Sequence, residues 1–235
     1  MKYEVEAIVL AGGNGTRMKE LIKDTQKCLL PIDEEPTLLH IFNNLVSAFG
    51  SVDIKLGVAY KAEQVEEFVK KNGFKNIKVT CIPHEIGTEG WGIYNQMEPH
   101  IRNGIFIATP GDIIVKPSAY IKALETTDYN NLPTLTFSPD INEAITHGTG
   151  IIEKGKVKML IWPPPENING QLRDMTIWAS NTSIFDDFKK YPNPKKGIGF
   201  MFSDMIKNGE WILGNIYNDY WIHLSDQKDL LKTMN

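Results

Sequence analysis

The sequence is short of what several classes of protein require. Its 235 residues include two cysteines, Cys28 and Cys81, too few for a disulfide framework or a cysteine-based metal cluster. No apolar run approaches the roughly twenty residues that span a bilayer, and the first residues lack the basic-then-apolar pattern of a secretory leader. The net charge is −4, and the basic residues are scattered rather than striped, which leaves no nucleic-acid face. There is no internal repeat and no low-complexity segment. These absences predict a cytoplasmic protein that binds neither membrane nor nucleic acid, with homo-oligomerisation left open.

What is present suits an ordinary globular enzyme. Hydrophobic residues make up 42% and charged residues 23% of the chain, and its length allows a substantial core in one domain. The most informative stretch comes first. Val5 to Leu10 is a short apolar run with the character of a buried parallel strand. It leads directly into Ala11-Gly12-Gly13-Asn14-Gly15-Thr16-Arg17. Glycines so closely spaced let backbone approach something bulky, and successive N–H groups in such a turn form a nest for an anion. Arg17 adds a fork of donors matched to phosphate oxygens. The stretch is not a dinucleotide fingerprint, because the third glycine is missing. It is not a Walker A loop either, because no Gly-Lys-Ser/Thr follows. A plain strand-to-helix turn is the alternative reading of the loop by itself.

Apolar residues at Leu38, Leu39, Phe42, Leu45, Val46 and Phe49 predict a helix over 35–49, opened by Pro36 and closed by Gly50. Strands are expected over 53–60, 77–82 and 105–109, and helices over 62–71 and 88–97. This alternation predicts βαβ units and a mostly parallel, Rossmann-like sheet, with ligands beyond the carboxyl ends of the strands. Arg17 and Asp112 then share one rim. After about residue 125 the pattern changes to strands over 132–138, 149–153, 156–162 and 175–184, an antiparallel lobe suited to a second substrate. Trp162-Pro163-Pro164-Pro165 reads as a stiff connector. A helix over 200–207, a strand over 211–217 and a helix over 226–233 close a single domain, residues 1–125 forming its nucleotide-binding part and 126–235 its second lobe.

Lys27 lies ten residues beyond Arg17, in Thr25-Gln26-Lys27-Cys28-Leu29-Leu30-Pro31-Ile32. With the glycine loop, this stretch resembles the signature of the sugar-1-phosphate nucleotidyltransferases, the nucleotide-sugar pyrophosphorylases: Gly-Gly-x-Gly-Thr-Arg, about ten residues, then Pro-Lys-x-Leu-Leu-Pro. Gln26 stands where most members have proline. The resemblance implies transfer of a nucleotidyl group from an NTP to a sugar 1-phosphate, with pyrophosphate leaving. It implies that Leu10, Ala11, Gly12, Gly13, Asn14, Gly15, Thr16 and Arg17 hold the nucleotide, joined by Gly87 and Thr88 of the Glu85-Ile86-Gly87-Thr88 stretch. Arg17, Lys27 and Asp112 would carry catalysis, and Lys27, Gly150 and Asn181 would hold the sugar phosphate. Asp112, in the strand-Gly-Asp stretch ending 105–112, would hold Mg²⁺, with Mn²⁺ as an option. For Gly87 and Thr88 a helix cap preceded by glycine is the alternative, and for Asp112 a turn residue.

The chain departs from this family in its second half. Aligned on Gly155-Lys156-Val157, Trp162, Pro163 and Pro164 occupy the positions of a sugar-binding Glu-Lys-Pro. Asn181-Thr182-Ser183-Ile184-Phe185 matches Asn-Ala-Gly-(Ile/Val)-Tyr loosely. His223, in Trp221-Ile222-His223, takes the place of a second metal-binding aspartate. It is either a ligand suited to Mn²⁺ or Zn²⁺ or a packed histidine, and Asp219 or Asp226 could serve instead. Two further readings stay open: a regulatory homologue that binds nucleotide without turnover, and an enzyme whose acceptor is another phosphorylated alcohol, phosphocholine or inositol phosphate. An NAD-dependent oxidoreductase is a weaker rival, given the incomplete fingerprint.

Overall fold

A computed structural model of the chain describes residues 5–15, 18, 22–88, 90–102, 104–140, 148–161, 171–191 and 197–224. Its frame is a nine-stranded sheet centred on β1 (Val5–Leu10). On one side β1 pairs in parallel with β4 (Val52–Val58), and β4 with β5 (Ile77–Pro83). On the other side β1 pairs in parallel with β6 (Ile105–Pro110). Between β1 and β4 lie a two-residue hairpin, β2 (Pro31–Ile32) and β3 (Glu35–Pro36), and helix α1 (Thr37–Phe49). Helix α2 (Ala62–Asn72) returns the chain to β5, and α3 (Trp91–Met97) returns it towards β6.

The central strands of the parallel half are buried along their length because both faces are covered. Val5, Ala7 and Val9 of β1 pack with α1, with Val65 of α2, and with α4 (Pro117–Asn130). Ile8 faces the other way, towards Ile93, Tyr94 and Met97 of α3. That face is extended by α5 (Ile184–Lys189) and α6 (Ile198–Lys207). Trp178 is fully buried at its centre, its ring 5.0 Å from Tyr94, 5.4 Å from Phe106 and 5.3 Å from Phe202, and its indole N–H donates to Tyr94 Oη. Edge-to-face geometry of this kind adds to the area such rings bury.

The second half continues the same sheet. Strand β11 (Leu172–Asn181) runs antiparallel to β6 and then to β8 (Thr134–Ser138), so it joins the two halves. Beyond it follow β12 (Leu213–Ile216), parallel to β8, then β10 (Lys156–Ile161) and β9 (Thr149–Glu153), antiparallel to one another. The antiparallel strands expected after residue 125 are thus an extension of the parallel sheet. A separate two-stranded ribbon pairs β7 (Ile113–Val115) with β13 (Trp221–His223).

Element ends shift by a few residues in several places, and two departures from the sequence reading bear on the site. The strand expected over 175–184 spans 172–181, and the chain is helical from Ile184. Asn181 accounts for the break, because its side-chain oxygen accepts from the backbone N–H of Ser183 at 3.1 Å, a local bond that competes with the ladder. The strand at 221–223 was not expected; three residues carry too little periodicity to register. The expected helix over 226–233 and the connector at 162–165 lie outside the described residues. Among the described residues no helix is long and apolar enough to cross a membrane.

One buried charge network links three neighbouring parallel strands. Lys55 on β4 lies 2.7 Å from Asp53 and 3.6 Å from Glu6 on β1, and Lys78 on β5 reaches Asp53 from the surface at 2.7 Å. Burial pushes the Asp53 carboxyl up, but the two lysines outweigh it and hold it below the usual carboxylate range. A depressed folded pKa stabilises the fold above the unfolded value near ~4 and is lost as pH falls further. Removing the buried ammonium takes away the cation that Glu6 and Asp53 share and leaves Asp53 with Lys78 at the surface. Lys55→Met is therefore expected to lower the unfolding free energy by about 3–5 kcal/mol, while Lys78→Met, at an exposed ammonium, costs about 1 kcal/mol or less. Urea denaturation of both variants checks this, and equal losses would contradict it.

Candidate active site

The parallel register of the central strands fixes where the site lies. Leu10 pairs with Pro110 and with Gly57, so the chain leaves β1 and β6 at adjacent points on the same rim. Gly111 N–H donates to Leu10 O at 2.8 Å, and Ala11 N–H donates to Gly57 O at 2.8 Å. A Cβ at Gly111 would lie 2.7 Å from the Leu10 carbonyl oxygen, so only glycine allows the two strand ends to cross this closely. Gly15, with φ +54°, takes the left-handed backbone that turns the loop.

A cleft of about 380 Å³ opens over this rim, within the range of small-molecule sites. Its walls are the loop from Leu10 to Gly15, the segment Gln26 to Cys28, the segment Ile86 to Thr88 with His84, and Pro110 to Asp112. Of the expected nucleotide-binding residues, Leu10, Ala11, Gly12, Gly13, Asn14, Gly15, Gly87 and Thr88 all border it. Thr16 and Arg17 lie outside the described residues.

Lys27 and Asp112 meet in this cleft. Lys27 opens a single turn of 3₁₀-helix (Lys27–Leu29) that is largely buried, and its Nζ lies 2.5 Å from Asp112 Oδ2. Burial alone would push the Asp112 carboxyl up. The Lys27 ammonium, with His223, overrides this and holds it far below the usual carboxylate range. Asp112 is therefore an anion across the physiological range, suited to holding a cation and unsuited to carrying a proton. Cys28 beside it is buried, and burial with the nearby Asp112 charge raises its thiol pKa, so it stays protonated.

Gln26 is the residue whose importance the sequence concealed. It is almost fully buried, and its side-chain amide donates to Ala11 O at 2.6 Å and Gly13 O at 3.1 Å. Its side-chain oxygen accepts from Cys28 N–H at 2.6 Å, and its own backbone N–H donates to Gln64 Oε1 of α2. The side chain thus ties the glycine loop to the turn carrying Lys27. A proline there could make none of these bonds, so the departure from the resembled signature replaces ring stiffness with a hydrogen-bonded clip.

His84 also lines the cleft. Its ring lies against Gly12, where a Cβ would sit 2.4 Å from Nε2. Nδ1 faces the Glu85 carbonyl at 3.2 Å and must donate to it. Burial lowers the imidazole pKa, which leaves a neutral ring whose Nε2 is an acceptor.

The second-half candidates divide. His223 comes to the site, because its pairing with Ile113 and the bond from Leu224 N–H to Asp112 O (2.9 Å) set β13 alongside Asp112. Its Nε2 lies 3.8 Å from Asp112 Oδ2. Asn181 does not. β11 runs antiparallel to β6, so Asn181 pairs with Ile105 at the start of β6, on the opposite rim, where it bonds Asn131. It is replaced near the site end of β11 by Arg173, which the sequence reading passed over because nothing local marks which end of an antiparallel strand meets the ligands. Gly150 is opposite Leu172 in β9 and outside the lining of the cleft. A Cβ there would strike the Phe137 ring at 2.5 Å, so its glycine is accounted for by packing. Asp219 pairs with Lys116 on the surface, and Asp226 lies outside the described residues.

A glycine loop after the central parallel strand, with a lysine and a carboxylate at the neighbouring strand end, defines an α/β fold of the nucleotide-diphospho-sugar transferase type. The chain belongs to the family described as "MobA-like NTP transferase domain", whose model matches residues 7–131. Over 88 residues it is 40% identical to D-glycero-alpha-D-manno-heptose 1-phosphate guanylyltransferase of Campylobacter jejuni, covering 37% of this chain and 39% of that one. It is 26% identical over 234 residues to mannose-1-phosphate guanylyltransferase catalytic subunit beta of Drosophila melanogaster, covering 97% of this chain and 61% of that one. The chain spans 39% to 54% of the length of three curated relatives it matches. The fold is shared with the inositol-1-phosphate CTP transferase from T. maritima, at a TM-score of 0.83 and 14% identity, covering 100% of this chain and 98% of that one.

If Gln26 clips the two halves of the site together, Gln26→Leu leaves two carbonyls and one N–H without their partner. A loss of about 1–3 kcal/mol in unfolding free energy is expected, read by thermal or urea denaturation. A variant as stable as the parent would show that the clip contributes nothing.

Proposed function

We propose that this chain transfers a nucleotidyl group from an NTP to a sugar 1-phosphate and releases pyrophosphate. The observation that carries the reading is the contact of Lys27 Nζ with Asp112 Oδ2 at 2.5 Å in the cleft walled by the glycine loop. The loop amides receive the triphosphate, and Arg17 adds charge to them. The nucleophile is a phosphate oxygen, already largely ionised at neutral pH, so the reaction needs no general base. Asp112 correspondingly is no base: the Lys27 ammonium beside it holds its carboxyl far below the usual carboxylate range. Their work is to hold phosphate oxygens in line and to neutralise charge.

Asp112 is the one carboxylate among the described residues lining the cleft, and no group of three or more His, Cys, Asp or Glu able to hold a metal ion occurs among the described residues. One carboxylate completed by phosphate oxygens and water is the donor set Mg²⁺ takes at nucleotide sites. Bound there, Mg²⁺ would neutralise charge on the departing pyrophosphate. The names of the relatives favour guanosine as the nucleoside and a heptose or mannose 1-phosphate as the acceptor. The loose match of the sugar-binding stretch keeps inositol phosphate or phosphocholine among the acceptors to be tried.

Pyrophosphate release from a panel of NTPs and sugar 1-phosphates with Mg²⁺ or Mn²⁺ tests the proposal. Turnover with one pair is expected, with kcat/KM lowered on the order of 10²–10³-fold in Lys27→Met and in Asp112→Asn. NTP binding without turnover across the whole panel would favour the regulatory reading, and absence of both binding and turnover would end the proposal.

A further inference from the structure

The histidine beside Asp112 is held from behind. Arg173, at the site end of β11, is 4% exposed, and its terminal NH2 nitrogen lies 3.2 Å from His223 Nδ1, itself on a residue 3% exposed. The guanidinium carbon stands 4.7 Å from the centre of the Trp221 ring, which stacks alongside His223 at 18° between planes. The guanidinium and the imidazole are thus both packed about Trp221 on β13.

A guanidinium has five N–H donors and no acceptor. In a contact with Arg173, Nδ1 of His223 must supply the lone pair, and the ring's single proton then sits on Nε2. Nε2 is the nitrogen directed at Asp112 Oδ2, 3.8 Å away. We propose that Arg173 fixes His223 in its Nε2–H tautomer, so that His223 meets Asp112 as a hydrogen-bond donor and is not a metal ligand. Among the described residues, a divalent ion at this site then has one protein carboxylate to hold it, Asp112. His223, expected from the sequence as a second ligand, has the wrong end of its imidazole facing the ion, because ligation needs a lone pair where this ring carries a proton. Arg173 is a positioning residue: it acts on Asp112 through His223, whose Nε2 approaches the same carboxylate oxygen, Oδ2, that Lys27 Nζ contacts.

This inference refines the metal side of the proposed reaction and rests on that reading, but its test does not. Ring-nitrogen ¹⁵N NMR of the full chain with labelled histidine, assigned with His223→Gln, reports the tautomer without substrate. Expected are a pyrrole-type Nε2 and a pyridine-type Nδ1 for His223, both unchanged when Zn²⁺ is added. In Arg173→Met the preference is expected to collapse to a mixture of tautomers, and in Arg173→Lys, which keeps a cationic donor, to persist. A pyridine-type Nε2 in the parent protein, or loss of the Nε2 proton on adding Zn²⁺, would overturn the donor role. An unchanged spectrum in Arg173→Met would overturn the positioning role of Arg173. Since the first measurement uses the unmodified chain, it decides the donor role even if the Arg173 variants fail to fold. A failed pyrophosphate assay with the expected spectrum would count against the reaction and leave the tautomer standing.

Discussion

The site depends on one constraint, the in-register parallel pairing of β1 with β6. Because Leu10 lies opposite Pro110 and Gly111 bonds back to Leu10, the residues leaving both strands are forced into a space only glycine can share. One strand continues into the loop that can wrap an anion, and the other into the carboxylate. Lys27 completes the arrangement from a third direction, carried on a short turn that Gln26 ties to the same loop. A slip of one residue in this pairing would turn every side chain of β1 to the other face, and buried β1 residues on both faces resist such a slip.

The electrostatics follow from the same crowding. A carboxylate at the rim of an apolar sheet would ordinarily be raised by burial. Asp112 is driven the other way because an ammonium and an imidazole N–H converge on it. That makes it a fixed charge rather than a proton carrier, which suits a reaction whose nucleophile arrives ionised. The departure at His223 reads differently in this setting. Beside Arg173 it is less a damaged metal ligand than one end of a donor chain running from β11 to the carboxylate.

Much of this was legible in the residues. The apolar run at 5–10, the glycines after it and the paired stretch around Lys27 pointed to one rim, and Asp112 at a strand end pointed to the same place. The βαβ alternation placed the parallel half of the sheet, since strand and helix periods are local properties. What stayed hidden was non-local. Asn181 was assigned to the acceptor because its neighbours resemble a known stretch, yet strand direction puts it on the far rim and puts Arg173 at the near one. Gln26 looked like a simple departure from a proline, because its bonds reach residues 13 and 15 positions away. The pairing of 221–223 with 113–115 could not be read from three residues, though it is what brings His223 to Asp112.

The most direct test is a crystal structure of the chain with a bound NTP and Mg²⁺. The account predicts the triphosphate against the backbone amides of Gly12 to Gly15, with Lys27 and Asp112 on either side of its phosphates and the ion touching Asp112. A triphosphate bound away from that loop, or one that leaves Lys27 and Asp112 without contact, would contradict it.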